Sequence, residues 1–312
     1  MSTHSHFQKP PILMRILRRT LRIPTAAILE CYVHMSWKYL WKRRTRHSLP
    51  KPLVVSCTSY PPRYRKLALT LKSLLSQKVK PDEILLWIAS ENYDKLPGNV
   101  LDLQDYGVTI RTCENLRSFN KVIHLLSERT DCFTVIADDD VYYGRKWLHG
   151  LVNNCEPLEK MVTCGRGHFI ERESDGSLKR YVDWSKAPAN EASQFVFPTG
   201  VGGVLYPPGI FHKDVTRIQL MRRYCPDSDD IWLYFMAALN GAIFKRVGNT
   251  DHPPIWAGSQ RVSLASGNVA KGGNDLQIAA MIRAYGNPAS REWPTFQNAQ
   301  IPNSQTSPKP HA

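Results

Sequence analysis

The sequence predicts an α/β fold built on a mostly parallel β-sheet with both faces covered. Short apolar runs, rich in valine and isoleucine, alternate with amphipathic helical segments along the central part of the chain. This alternation is typical of βαβ units. Continuous apolar runs, rather than alternating ones, indicate strands that are buried on both faces of the sheet. The 312 residues provide enough material for one large domain of this class or two smaller ones.

Four strands and two helices are predicted in the first half of this domain. The strands are the apolar runs 53–57, 84–89, 108–111 and 133–137. One helix is indicated by leucines at helical spacing, Leu67, Leu71, Leu74 and Leu75. Residues 121–126 belong to a second helix. In open sheets of this kind ligands bind beyond the carboxyl ends of the strands, so the residues that follow these runs are the first candidates for a site.

Positive charge is concentrated at the N-terminus. Residues 1–50 contain ten Lys or Arg and one acidic residue, Glu30, so they carry +9 of the net charge of +14. The remaining body is close to neutral. This argues against a nucleic-acid binder, since such binding rests on many phosphate contacts.

We divide the chain into a basic arm at 1–50, a main domain at 51–286 and a tail at 287–312 that is predicted to be disordered.

The basic arm has the pattern of an amphipathic helix. Its basic residues recur next to aliphatic ones, and Trp37 and Trp41 lead into the cluster Lys42, Arg43, Arg44 and Arg46. Basic groups beside aromatic side chains favour a helix that lies in the headgroup layer of a membrane. A solvated or disordered basic tail is the alternative. Charged residues interrupt the apolar stretch 23–41, which makes it a poor candidate for a membrane-spanning helix.

The cysteines bear on the compartment. There are seven, scattered along the chain, and no C-x-x-C pair is present. This pattern argues against a zinc ribbon and against a disulfide framework. It favours a reducing compartment. Together with the basic arm, it predicts a cytoplasmic protein that is peripheral on the inner face of a membrane.

Three adjacent acidic residues, Asp138, Asp139 and Asp140, follow directly after the predicted strand 133–137. Adjacent carboxylates repel one another unless a cation or hydrogen-bond donors compensate. Hard divalent cations bind carboxylate oxygens and keep positions for substrate phosphates. A solvated turn or a helix cap is the alternative. The position after a buried strand favours a functional site.

A second acidic pair, Asp229 and Asp230, precedes the apolar helical run 231–239. An ordinary helix N-cap explains one aspartate at such a junction, but it does not explain two. A carboxylate at the N-terminal end of a buried helix could deprotonate the hydroxyl of an acceptor. The pair is therefore a candidate for a catalytic base.

The segment from Val54 to Arg63, the Asp triplet and the later Asp pair, in this order, resemble the GT-A-fold glycosyltransferases. Within them the sequence is similar to the family-2-like and exostosin-like enzymes, over roughly residues 52–280. The resemblance implies a Rossmann-like sheet with helices on both faces. It also implies transfer of a hexosyl or N-acetylhexosaminyl group from a nucleotide-sugar donor to a hydroxyl of a glycan or a lipid-linked acceptor, with a UDP sugar as the first choice of donor and a GDP sugar as the alternative.

The resemblance also assigns roles to the acidic residues. The triplet matches the family's D-x-D motif, so Asp138 would contact the ribose, Asp139 the donor sugar and Asp140 the Mn²⁺ or Mg²⁺ that holds the diphosphate. Asp229 and Asp230 match the pair that supplies the catalytic base of inverting members. Asp230 is the first choice of the two. The basic arm is not part of the family pattern.

Further positions are implied by the same resemblance. Nucleotide-binding residues are implied in two segments, Thr58, Ser59, Tyr60 and Arg63 in the first and Asn120 and Lys121 in the second. His252 corresponds to a C-terminal histidine that ligates the metal in some members. Gly202 and Gly203 match a glycine-bearing loop beside the acceptor. The segment 272–277 is expected to be a loop that closes over the donor.

Two other function classes are compatible with parts of the pattern. A metal-dependent phosphohydrolase with an aspartyl nucleophile also places Asp after a strand, but its motif requires Thr or Val where this chain has Tyr142. A non-catalytic membrane adaptor would use the basic arm, but it would not need two acidic clusters at crevice positions. Binding of a UDP-sugar that depends on Mn²⁺ would separate the glycosyltransferase hypothesis from both.

Overall fold

A computed structural model describes residues 12–156, 160–248, 253–259 and 272–288, with the backbone alone at 12–26. The described strands are β1 Thr45–Arg46, β2 Leu53–Ser59, β3 Val79–Lys80, β4 Glu83–Ala89, β5 Val108–Cys113, β6 Phe133–Ala137, β7 Met161–Cys164, β8 Gly167–Phe169, β9 Ala192–Ser193, β10 Val196–Pro198, β11 Val204–Tyr206 and β12 Ile243–Arg246. The described α-helices are α1 Ile12–Trp41, α2 Tyr64–Leu75, α3 Gly98–Leu101, α4 Ile123–Glu128, α5 Trp147–Asn153, α6 Ile218–Tyr224, α7 Asp229–Leu239 and α8 Gly273–Tyr285.

Eight of these strands form one central sheet in the order β5-β4-β2-β6-β11-β7-β12-β9. The first four are mutually parallel. They are also the four strands that the sequence predicts. β11 is antiparallel to both of its neighbours, and β12 is parallel to β7. The predicted α/β class with a mostly parallel sheet is therefore confirmed, and the architecture agrees with the GT-A-like fold that the resemblance implies.

Helices cover both faces of the sheet, as predicted. Successive side chains of a strand point to opposite faces. Val55 accordingly packs with the leucines of α2 on one face, whereas Val54 packs with Leu125 of α4 on the other. The apolar helix α7 packs beside Val204 of β11 in a third cluster. Helices therefore cover both faces of the sheet, and the carboxyl ends of its parallel strands lie together at one edge.

The basic arm is helical, as predicted, and its second half is docked on the body. Val33 is buried in a cluster with Leu69 of α2 and with Trp256. Glu30 forms an ion pair with Lys66 at 2.6 Å. Among the residues that the structure describes, no helix is long and apolar enough to cross a membrane.

The two tryptophans of the arm do not face outward, which corrects their assignment to the lipid layer. Trp37 is 5% exposed, and its ring meets the edge of Tyr106 with 4.7 Å between the centroids. The indole N–H of Trp41 donates to the carbonyl oxygen of Tyr106 at 2.9 Å. Burial of both rings against the body stabilises the fold, because aromatic side chains remove large apolar areas from water.

Two further sequence expectations differ from the structure. The segment 272–277 is not a loop, because α8 begins at Gly273. Lys121 lies in a 3-10 turn, Arg117–Lys121, directly before α4. The predicted tail lies, beyond Pro288, outside the described residues, as does His252.

Candidate functional site

Two acidic clusters that are far apart in the sequence meet beyond the carboxyl ends of β2 and β6. The triplet follows β6 directly, and the Asp pair forms the first two residues of α7. Lys121 joins them. Its Nζ lies 2.8 Å from Oδ1 of Asp138 and 2.9 Å from Oδ2 of Asp229. The structure therefore brings both predicted acidic motifs into one site.

Lys121 is buried, with 6% of its side chain exposed. Burial by itself would lower the pKa of this ammonium group. The carboxylates of Asp138, Asp229 and Asp230 outweigh that effect and raise the pKa of Lys121 well above its ordinary value. These carboxylates therefore favour the charged form of the side chain inside the acidic site. The sequence suggested a nucleotide contact for it and carried no signal for this role.

Asp230 has the properties of a general base. One carboxylate oxygen, Oδ1, accepts a hydrogen bond from the backbone N–H of Gly200 at 2.9 Å. Desolvation raises the pKa of Asp230 to about 7, with the neighbouring charge of Asp229 as the next cause and Lys121 acting in the opposite direction. A base whose pKa lies near the working pH is well suited to proton transfer.

Neither residue of the Asp pair has the N-cap position that an ordinary capping role requires. That position belongs to Ser228, and its side chain makes no capping hydrogen bond. Asp229 and Asp230 instead belong to the first turn, where the positive end of the helix dipole favours negative charge. The capping explanation for one of the two carboxylates is therefore wrong.

Asp139 and Ser59 form a buried pair between β6 and β2. The Ser59 hydroxyl donates to Oδ2 of Asp139 at 2.6 Å. Desolvation raises the pKa of Asp139 to about 7, although the Ser59 hydrogen bond and the charge of Arg63 act to lower it. Asp139 is therefore held by protein groups and lies deeper than Asp138, whose side chain is 25% exposed.

Asp140 forms a buried ion pair with Arg63, whose guanidinium also lies 3.8 Å from Asp139. Burial would lower the pKa of Arg63, but the two carboxylates outweigh it and raise that pKa. The backbone carbonyl of Asp140 accepts the N–H of Trp256 at 2.9 Å. The Ser259 hydroxyl lies 3.4 Å from its carboxylate. Arg63 and Lys121 thus neutralise part of the charge of the triplet.

The remaining predicted nucleotide residues have different surroundings. The Thr58 hydroxyl donates to the carbonyl of Trp87 at 2.9 Å, which ties β2 to β4. Tyr60 is 38% exposed and lies beside Arg63, at the mouth of the site. Asn120 is buried, and its side-chain oxygen accepts the backbone N–H of Leu116 at 2.7 Å. Of these side chains, Tyr60 is the one placed to meet a ligand from solvent.

The glycine-bearing loop approaches the acids at Gly200 rather than at Gly202 and Gly203. A Cβ added at Gly200 would lie 3.1 Å from Oδ1 of Asp230 and 3.2 Å from Nζ of Lys121. Gly203 has φ +77°, and a Cβ there would overlap the ring of Trp147. Sequence reasoning missed Gly200, because nothing in a Gly-rich run tells which glycine lies closest to the functional groups.

We expect Gly200→Ala to lower turnover about tenfold while the protein stays folded. Contacts of 3.1–3.2 Å are tight, so Asp230 and Lys121 must shift by a few tenths of an ångström, and small misplacements of catalytic groups are costly. Steady-state kinetics and thermal melting check this, with Gly98→Ala as the control, since a Cβ there would meet nothing within 4 Å. Unchanged kinetics for Gly200→Ala would contradict the close approach.

The acidic residues suit a divalent cation in their chemistry. Within the described ranges no group of three or more His, Cys, Asp or Glu side chains converges as a complete metal site. Mg²⁺ and similar ions are, however, commonly held by one or two carboxylates together with substrate phosphates. Asp138 and Asp140 have such oxygens at a strand end, but Lys121 and Arg63 already engage them, so a cation would have to share these carboxylates with the two basic side chains.

No protein-family model matches the sequence, and no curated protein matches it either. Among solved structures, the chain is similar to residues 1–349 of S. aureus TarS, with 13% identity and a TM-score of 0.42. That match covers 64% of this chain and 59% of the TarS chain, so this chain spans about three fifths of that structure's length.

Two further similar structures are 4-diphosphocytidyl-2C-methyl-D-erythritol synthases. One has 9% identity and a TM-score of 0.43, over 69% of this chain and 97% of the other. The second, from Anaerococcus prevotii DSM 20548, has 10% identity and a TM-score of 0.40, over 77% and 99%. At such scores these similarities are too distant to support any statement about the activity of this chain.

Proposed function

We propose that the protein is an inverting glycosyltransferase that moves a sugar from a nucleotide-sugar donor to a hydroxyl of a glycan or lipid-linked acceptor. One observation carries this proposal. A base-like carboxylate, Asp230, and a strand-end acidic triplet lie together at one edge of the sheet, joined by the buried cation Lys121. A donor site beside a hydroxyl-activating base is what sugar transfer to an acceptor requires.

In the proposed reaction, Asp230 accepts the proton of the acceptor hydroxyl. The acceptor oxygen then forms a bond to the anomeric carbon of the donor, and the bond from that carbon to the diphosphate oxygen breaks. The nucleoside diphosphate leaves with the bonding electron pair. We assign the binding of this leaving group's negative charge to Arg63, which is paired with Asp140 in the structure. A Mn²⁺ or Mg²⁺ ion held by Asp140 would supply further charge neutralisation when bound.

A screen of nucleotide sugars tests this function. The purified protein is incubated with each donor, and released nucleoside diphosphate is measured with and without an acceptor mixture, with added Mn²⁺ and with a chelator. We expect release for one donor class and faster release with a suitable acceptor. Release of inorganic phosphate from phosphate esters would favour the phosphohydrolase alternative. Inactivity toward every donor and every phosphate ester would favour the non-catalytic membrane adaptor.

Within this screen, Asp140→Asn is expected to abolish turnover and to remove any dependence of donor binding on Mn²⁺. The variant keeps the size of the side chain but loses the charge that faces Arg63. It should also be less stable, because the buried guanidinium of Arg63 loses its closest carboxylate and keeps only Asp139 at 3.8 Å. Asp131→Asn is the matched control, since Asp131 is exposed two residues before β6. Full activity of Asp140→Asn would contradict the role of the triplet.

A further inference from the structure

The outward face of α1 carries a row of exposed apolar side chains. Ile28, Tyr32, Met35 and Tyr39 are 67%, 47%, 84% and 56% exposed. Their spacing of four, three and four residues places them on one side of the helix. The opposite side is buried, with Val33 3% exposed. The described part of α1 therefore has two apolar faces, and the other residues that the structure describes cover only one of them.

Basic groups continue this row at its C-terminal end. The guanidinium of Arg43 lies over the ring of Tyr39, 4.4 Å from its centroid. Lys42 is exposed nearby. The acidic residue of this half of the helix, Glu30, is engaged by Lys66 of α2. The surface is therefore apolar along its middle and positive at its end.

We propose that this face of α1 binds the surface of an anionic phospholipid membrane, with the helix lying in the headgroup layer. Large apolar side chains, tyrosines with polar tips and adjacent cations are the features of interfacial helices. Anionic lipids attract basic segments next to such a helix. This inference is independent of the glycosyltransferase function proposed above.

Charge distinguishes a membrane from a second copy of the chain as the occupant. In a symmetric pair the same basic ends and the same strongly positive segment, +9 over residues 1–50, would face each other or lie close together. Like charges in proximity repel one another. An anionic leaflet instead complements both the apolar row and the cations.

The docking of α1 fixes how the body would sit on the membrane. Val33, Leu69 and Trp256 form one buried cluster, and α2 begins directly after Arg63 of the candidate site. A flat arrangement of α1 would therefore hold the site at a constant height above the lipid surface. This differs from the flexible tether that a separate basic tail would provide.

The test is co-sedimentation of the full chain with phosphatidylcholine vesicles, with and without phosphatidylserine. We expect strong binding only when phosphatidylserine is present. The double variant Ile28→Ser/Met35→Ser should bind about tenfold more weakly, because it removes two apolar side chains from the contact. The single variant Lys42→Gln should weaken vesicle binding more at low salt than at high salt. Leu276→Ser is the matched control, since Leu276 is 72% exposed on another helix.

Each outcome bears directly on the proposal. Circular dichroism and thermal melting of the double variant should match the parent, because the replaced side chains are exposed. Equal binding of the parent and the double variant would overturn the assigned face. Absence of binding to either vesicle would overturn the membrane as the partner. If sedimentation velocity shows a parent dimer that the double variant abolishes, a second copy covers this face and the proposal is wrong.

Discussion

Asp230→Asn is expected to lower turnover by about 100-fold or more, the usual loss when a general base is removed. The substitution keeps the size of the side chain and an oxygen that can accept the Gly200 N–H bond. Donor affinity should stay close to that of the parent, because the triplet and Arg63 are unchanged. Pre-steady-state or steady-state transfer kinetics with saturating donor measure the effect.

The pH dependence gives an independent check on the same residue. Because the pKa of Asp230 is raised to about 7, the parent's kcat/KM should rise with pH through that value and then level off. Asp229→Asn removes a neighbouring charge that raises the pKa of Asp230, so it should move this rise to lower pH while retaining activity. An inactive Asp229→Asn together with an active Asp230→Asn would exchange the two roles.

The free energy of unfolding should also depend on the titration of Asp230, and it should fall over the pH range in which kcat/KM rises. The folded-state pKa of Asp230 lies above its ordinary value of 3.8, so between these two values the folded protein binds more protons than the unfolded chain. Stability contributed by the protonated form is therefore lost as pH rises toward about 7. Asp230→Asn lacks this titration. The melting temperature of Asp230→Asn minus that of the parent should therefore be larger at about pH 8 than at about pH 4. Thermal melts at both pH values measure this.

Lys121→Met is expected to destabilise the protein by about 3–5 kcal/mol, the cost of leaving buried charges without their partner. The ammonium group lies within 3 Å of both Asp138 and Asp229, and it also offsets the charge of Asp230. Methionine fills the same volume but supplies no charge. Urea unfolding at constant pH measures the loss of free energy.

The loss from Lys121→Met should be largest at high pH, because the unpaired carboxylates can take up protons when the pH is low. Lys66→Met is the matched control. Its pair with Glu30 is partly exposed, so the expected cost is within about 1 kcal/mol. A similar cost for both variants would contradict the central position of Lys121 in the site.

The parts of the fold that were predicted correctly are those set by local pattern. The strand 133–137 coincides with β6, because five consecutive apolar or β-branched residues form a strand that is buried on both faces. The leucines of α2 fix a helix through their spacing. Their partners on the sheet follow from the alternation of side chains within the strands, so the layered architecture could be predicted from the sequence.

The relations between distant residues could not be predicted in the same way. The antiparallel strand β11 has three residues and no periodicity to identify it. The ion pairs of Arg63 and Lys121 with the acids depend on tertiary contacts across many residues, and no local pattern indicates them. Trp37 and Trp41 show the same limit, since an amphipathic pattern gives the apolar side of a helix but not which neighbour covers it.

Trp256 connects the arm to the acidic triplet, and this affects how the protein tolerates shortening. The indole N–H donates to the Thr70 hydroxyl at 2.8 Å, and that hydroxyl donates to the backbone carbonyl of Asp139 at the same distance. The Trp256 side chain also packs in one buried cluster with Val33 of α1. A protease that cut the chain before Ser48 would therefore remove part of the packing around Trp256 together with the arm. The cut would expose Leu69 and Trp256 next to the backbone of the triplet, so we expect the shortened protein to be less stable around the acidic site.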